Sequence, residues 1–143
     1  MSAVDQIRAD AQAAMKDGDR KRSQALRMIQ DVLQQDAKLG NDDEIAALQR
    51  ERKKRMEAAD AFADAGRYEQ AEDERFEAEL ITAYLPAQLT DEELNALVAE
   101  AIASTGATEQ KQMGQVMGSL KDKVAGKADG KRVSTAVREQ LAS

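Results

Sequence analysis

Tyr84-Leu85-Pro86-Ala87-Gln88-Leu89-Thr90-Asp91-Glu92-Glu93 contains the only proline of this 143-residue chain. Proline lacks a backbone N–H and restricts the residue before it, so a helix arriving at Tyr84 ends near Leu85. Shortly afterwards Thr90 and Glu93 have the spacing of a capping box, in which each side chain bonds the other's backbone N–H. One helix therefore stops and another starts within this stretch. We place a domain boundary here, dividing the chain into 1–86 and 87–143.

Working outward, apolar residues recur at helical spacing on both sides of the boundary. Upstream, Val4, Ile7, Ala11 and Met15 form a stripe that stops at Gly18. Leu26, Ile29 and Leu33, flanked by Met28 and Val32, form a second that ends near Gly40-Asn41. The acids Asp42, Asp43 and Glu44 suit the positive end of a third helix, which carries Ile45, Leu48, Arg52, Met56, Ala59 and Phe62 up to Ala65-Gly66. A fourth runs from Arg67 to Tyr84 with Phe76 and Leu80 on one face. Downstream, Leu94, Leu97, Val98, Ala101 and Ile102 line a helix stopped by Gly106. Thr108 is expected to cap the next, with Met113, Val116, Met117, Leu120 and Val124 on one side. Asp129 is a candidate N-cap for a last helix carrying Val133, Val137 and Leu141. The expected fold is all-α: a four-helix N-terminal region whose long helices pair as hairpins, then a compact C-terminal three-helix bundle.

Composition removes many functions. The chain has no His and no Cys, which excludes a Ser-His-Asp triad, a cysteine nucleophile, a Cys/His zinc site and a disulfide scaffold. No cofactor or metal is expected. No apolar run approaches the roughly 20 residues needed to span a bilayer, and the first residues show no signal peptide. A cytoplasmic protein without membrane contact is the expectation. The many acidic pairs lie on helices without an apolar pocket to shift their pKa values, and no serine has a histidine partner. With two Phe and two Tyr, base stacking is poorly provided for.

Charge is distributed unevenly. The chain is −6 overall, yet residues 110–143 hold seven Lys and Arg against three Asp and Glu. Such a basic terminus is either a solvated helix face or a phosphate-binding surface. Within it, Gly126-Lys127-Ala128-Asp129-Gly130-Lys131-Arg132 combines two glycines, a helix start and three cations. That is either an ordinary helix–helix turn or an anion site built on backbone N–H groups. Gly114 and Gly118, four apart, indicate tight helix packing or a surface that another backbone or a nucleic-acid strand passes closely. The run Arg50-Glu51-Arg52-Lys53-Lys54-Arg55 spreads around its helix and is expected to be solvated, with Glu51 pairing Arg55.

Taken in order, Ala65-Gly66-Arg67, the YLPAQL stretch at 84–89, Met113-Gly114, Met117-Gly118 and Gly126-Lys127-Ala128-Asp129-Gly130 resemble the YqeY family over nearly the whole chain. The tail from about residue 88 is also similar to the C-terminal domain of GatB, the tRNA-dependent amidotransferase subunit. That resemblance implies a helical module that helps recognise tRNA, with the transamidation chemistry lying in domains absent here. The family-level activity label, carbon–nitrogen ligase with glutamine as amido-N-donor, would be inherited from GatB. The implied role is a non-catalytic accessory protein that binds tRNA, or a tRNA-dependent amidotransferase or translation complex. Lys121, Lys123, Gly126, Lys127, Gly130, Lys131, Arg132 and Arg138 would form the nucleic-acid contact, touching phosphates by shape and charge. The rival expectation is a protein–protein interaction module with no nucleic-acid role.

Overall fold

The computed structural model describes residues 2–41 and 43–143, so the third-helix start expected at Asp42 lies outside the described residues at that one position. Among them the chain is helical throughout, without strands. The helices are α1 (Ala3–Lys16), α2 (Arg20–Lys38), α3 (Glu44–Asp64), α4 (Tyr68–Thr82), α5 (Asp91–Thr105), α6 (Met113–Val124) and α7 (Gly130–Ala142). Contacts divide the chain into two compact units, Met1–Leu85 and Pro86–Ser143.

In the first unit α1 packs on α2, α3 on α4, and α2 also meets both α3 and α4. Ser2, Asp19 and Asp43 cap the first three helices, each accepting a backbone N–H three residues on. Ile7, Leu26, Leu48 and Ile81 are wholly buried at the centre. Alanines at 11, 59 and 71 are equally buried. Two contacts span elements that sequence spacing does not connect. The Ser23 hydroxyl donates to the Ala11 carbonyl at 2.9 Å, and the Glu44 carboxylate accepts from the Ala3 and Val4 N–H groups at 3.2 and 3.0 Å. Glu44, expected at the start of its own helix, therefore also satisfies the first donors of α1. Tyr84 Oη donates to Asp10 at 2.5 Å; burial first, then this bond, pushes the phenol well above its ordinary range.

Two methionines, Met15 and Met56, depart from the expected stripes, and Met28, expected to flank one, is exposed as well. Met15, Met28 and Met56 are 43%, 46% and 37% exposed. At about 100° per residue, every step of four drifts about 40° around the helix. Met15 follows Ile7 by two such steps, and Met56 follows Leu48 by two, so both leave the buried face. Ala14 and Ala59, reached through a step of three, stay on it and are buried. Met28 lies just beside the Leu26–Ile29–Leu33 face, which is buried as expected.

The run at 50–55 is solvated only in part: Arg50, Lys53 and Lys54 are exposed and Glu51 pairs Arg55 as expected, but Arg55 is drawn into a wider cluster. Arg55 bonds Glu51, Glu74 and Glu77 at 2.8, 3.3 and 3.2 Å, with all four side chains largely buried. Burial opposes the Arg55 charge, but the carboxylates of Glu77, Glu51 and Glu74 outweigh it and hold the guanidinium above its ordinary range. Glu77 is also raised, chiefly by burial, which Arg55 only partly offsets against the repulsion of Glu74, Glu51 and Asp73. Arg52 donates to the Thr82 hydroxyl at 2.8 Å and Arg50 to Asp36 at 2.9 Å. Only Lys53 and Lys54 of its cations point to solvent unengaged among the described residues.

The second unit packs α5, α6 and α7 on one another around Val98, Val116, Leu120, Val133 and Val137. The Thr90–Glu93 capping box is present, with bonds of 3.1 and 3.0 Å. Glu93 is fully exposed, and the N–H of Thr90 holds its carboxyl below the ordinary value. Thr108 does not cap α6. A 3-10 turn at Gln110–Gln112 intervenes, and Gln112 Oε1 accepts from the N–H groups of Thr108 and Glu109 at 2.7 and 3.0 Å.

Candidate nucleic-acid interface

The basic terminus is built from the end of α6, the turn at 125–129 and α7. Val124 ends α6 with its carbonyl accepting from Lys127 and Ala128 at 2.9 and 3.1 Å. The chain reverses at Gly126, whose φ of 76° lies in the left-handed region where a Cβ is strained. Asp129 caps α7, its carboxylate accepting from the Arg132 N–H at 2.9 Å.

This turn grips the chain's own linker. Gln88 Nε2 donates to the carbonyls of both Gly126 and Pro86 at 2.8 Å. The Leu89 N–H donates to the Lys127 carbonyl at 2.8 Å. Arg132 reaches back to the Leu89 carbonyl and to Asp91, each at 2.9 Å. The close approach that the glycine spacing indicated is thus made by residues 86–91. Gly126 is buried beneath them, while Gly130 is exposed. The two glycines serve different ends. The positive end of α7 is already faced by the Asp129 carboxylate, so a phosphate there would meet a negative group rather than an open helix start.

The eight expected contact residues separate accordingly. Arg132 and Gly126 hold the linker. Lys123 faces Glu100 at 3.7 Å in an exposed pair of little energetic consequence. Lys121, Lys127, Lys131 and Arg138 are exposed, and among the described residues none makes an ion pair. Lys131 and Arg138 are seven residues apart on α7, which puts them on one face about 10 Å apart along the axis. A shallow polar recess of about 400 Å³ beside them is lined by Asp91, Asp129 and Glu139 as well as Lys131 and Arg132. Its mixed charge makes it a poor anion pocket.

Gly114 and Gly118 are not at a tight helix contact. Both are exposed, and a Cβ at either meets no atom within 4 Å. Sequence reasoning missed Gln88 as the link between boundary and turn. Its signals were its place after the single proline and within the YLPAQL stretch. Among the described residues no group of acids, His or Cys is arranged to hold a metal, and no helix is long and apolar enough to cross a membrane.

A sequence profile of Yqey-like proteins matches residues 4–141. None of the curated proteins compared with the chain matches it.

Proposed function

The chain belongs to the family of Yqey-like proteins, and on that premise we propose a non-catalytic helical accessory protein, working in the cytoplasm, that binds tRNA or a tRNA-handling complex through its basic terminus, residues 110–143. The observation that carries this reading is the set of four uncompensated cations, Lys121, Lys127, Lys131 and Arg138, on a protein whose net charge is −6. Cations without internal partners are free to neutralise RNA phosphates, and the release of counterions condensed on the RNA drives association. The tail has no aromatic residue. Contact is therefore with the sugar–phosphate backbone of a structured RNA, and base reading is minor.

Fluorescence anisotropy of labelled total tRNA tests this at about 50 and 200 mM salt. The variant reverses Lys121, Lys127, Lys131 and Arg138 to Glu and leaves Arg132 alone, because Arg132 holds Leu89 and Asp91. Saturable binding that weakens with salt and disappears in the variant supports the reading. No binding at micromolar protein rejects it in favour of a protein-interaction module.

A further inference from the structure

Residues of α6, the turn and α7 line an open apolar groove of about 410 Å³. Met117, Val124, Ala125, Ala128 and Val133 line it, with glycines at 118 and 130 and Lys121 as its one charged lining residue. Val124, Ala128 and Val133 belong to the buried core, so the groove floor is the outer side of that core. Its glycines have no internal explanation. Neither Gly118 nor Gly130 has a positive φ, and a Cβ on either would enter open space. Gly118 lies inside α6, where glycine weakens a helix relative to alanine. What glycine does supply there is room outside the chain, for a second backbone to lie close to α6.

We propose that this groove docks an amphipathic helix of a protein partner, inserted by its aliphatic face and acidic along its flank. The lining selects the class of occupant. Apart from Lys121 it offers no hydrogen-bonding side chain to a base edge or a ribose, and the whole tail has no ring for a base to stack on. Aliphatic side chains fit such a surface, with a small-residue floor that a helix backbone can approach. Charge selects the flank. Lys121 lines the groove, Lys127 lies between the lining residues Ala125 and Ala128, and Lys131 follows Gly130. All three are exposed and unpaired among the described residues. Of the neighbouring acids, Asp129 is committed to capping α7, leaving Asp122 on α6 against three lysines.

The test uses the full chain and a phage-displayed random library of peptides about 16 residues long, enough for four helical turns. Selection on the wild-type protein is counter-selected on Gly118→Trp, which fills the groove from a position with space for it. Enriched peptides should carry apolar residues at i, i+3 or i+4 and i+7 with net negative charge, and should shift the Met117 methyl resonance. They should bind Gly118→Trp at least about tenfold more weakly, with Gly118→Ala weakened to a lesser degree, since its methyl group takes part of the room the partner backbone needs. The Lys121→Glu, Lys127→Glu pair should lose acidic peptides and keep its fold, since both residues are exposed. Failure to enrich groove-dependent peptides, or enrichment of basic ones, overturns the proposal. So does a Met117 shift produced by tRNA and by no peptide. The tRNA reading fails separately, because Gly118→Trp leaves the phosphate-contacting lysines in place.

Discussion

The two units differ in what becomes of their densest basic stretches. In Met1–Leu85 the densest basic run of the sequence is largely engaged by its own fold: Arg55 sits among three carboxylates, Arg50 meets Asp36 at the surface and Arg52 meets Thr82, while Lys53 and Lys54 stay in solvent. The same unit leaves Met15, Met28, Leu39, Met56 and Tyr68 substantially exposed. In Pro86–Ser143 an aliphatic core does the holding, and most of the cations stay in solvent. Charge density along the chain is therefore a poor guide to a binding surface. What counts is whether the fold has already supplied each charge with a partner, since only an uncompensated cation has an unmet attraction to offer.

That contrast is most sharply tested by removing what holds the tail. Leu120→Ala deletes a wholly buried side chain and should cost about 2–5 kcal/mol. A unit this small has little more than that to lose. Its amide resonances should collapse toward random-coil positions while those of residues 2–85 keep their dispersion. Collapse of both sets would show that the units do not fold separately.

Next in size is the hub of the first unit. Arg55→Met leaves Glu51, Glu74 and Glu77 facing one another, and urea unfolding followed by tyrosine fluorescence, present only in that unit, should show a loss of about 2–3 kcal/mol. Glu77→Gln should instead hold or slightly raise stability at neutral pH, because its surroundings already favour the uncharged form. In the tail, Gln88→Ala removes the two bonds at 2.8 Å that tie the linker to Gly126. It should lower tail stability by about 1 kcal/mol, read from exchange of the Leu89 amide, and leave the first unit unchanged.

The smallest expected effect has opposite signs in the two units. Glu77 has a raised folded-state pKa, so its contribution is full below the ordinary carboxylate value of 4.5 and is lost as pH rises through the raised one. Glu93 has a lowered one, so its contribution is full above 4.5 and is lost as pH falls through the lowered one. Acidification from neutrality toward 4.5 should thus favour the first unit through Glu77, and further acidification should weaken the tail through Glu93. Glu77→Gln and Glu93→Gln should each remove one of the two slopes in unfolding experiments across that range.

Much of this fold is legible in the chain itself. The stops at Gly18, Gly40, Gly66 and Gly106, the capping by Thr90 with Glu93 and by Asp129, and the buried faces of α5 and α6 follow from backbone preference and periodicity, which act over a few residues. Errors entered where a stripe was extended by repeated steps of four, as at Met15 and Met56, because the helix turns faster than that spacing. The candidate site was less legible. Sequence placed Lys127, Lys131 and Arg132 together as equals, whereas Arg132 is held by Leu89 and Asp91 and the two lysines are free of ion pairs among the described residues.

By itself, then, the sequence determined the all-helical class, most of the helix ends, the stop of α4 before Pro86 and the basic sign of residues 110–143, each a property of neighbouring residues. Tertiary structure alone decided that Gln88 would bridge to Gly126, that Glu44 would serve α1, that Arg55 would be enclosed by carboxylates, and that Gly118 would face open space beside an apolar groove. The physical reason is distance along the chain. A cap or a stripe is fixed by residues within a turn or two, but whether a charge is neutralised or a glycine is covered depends on residues tens of positions away, which only packing brings together.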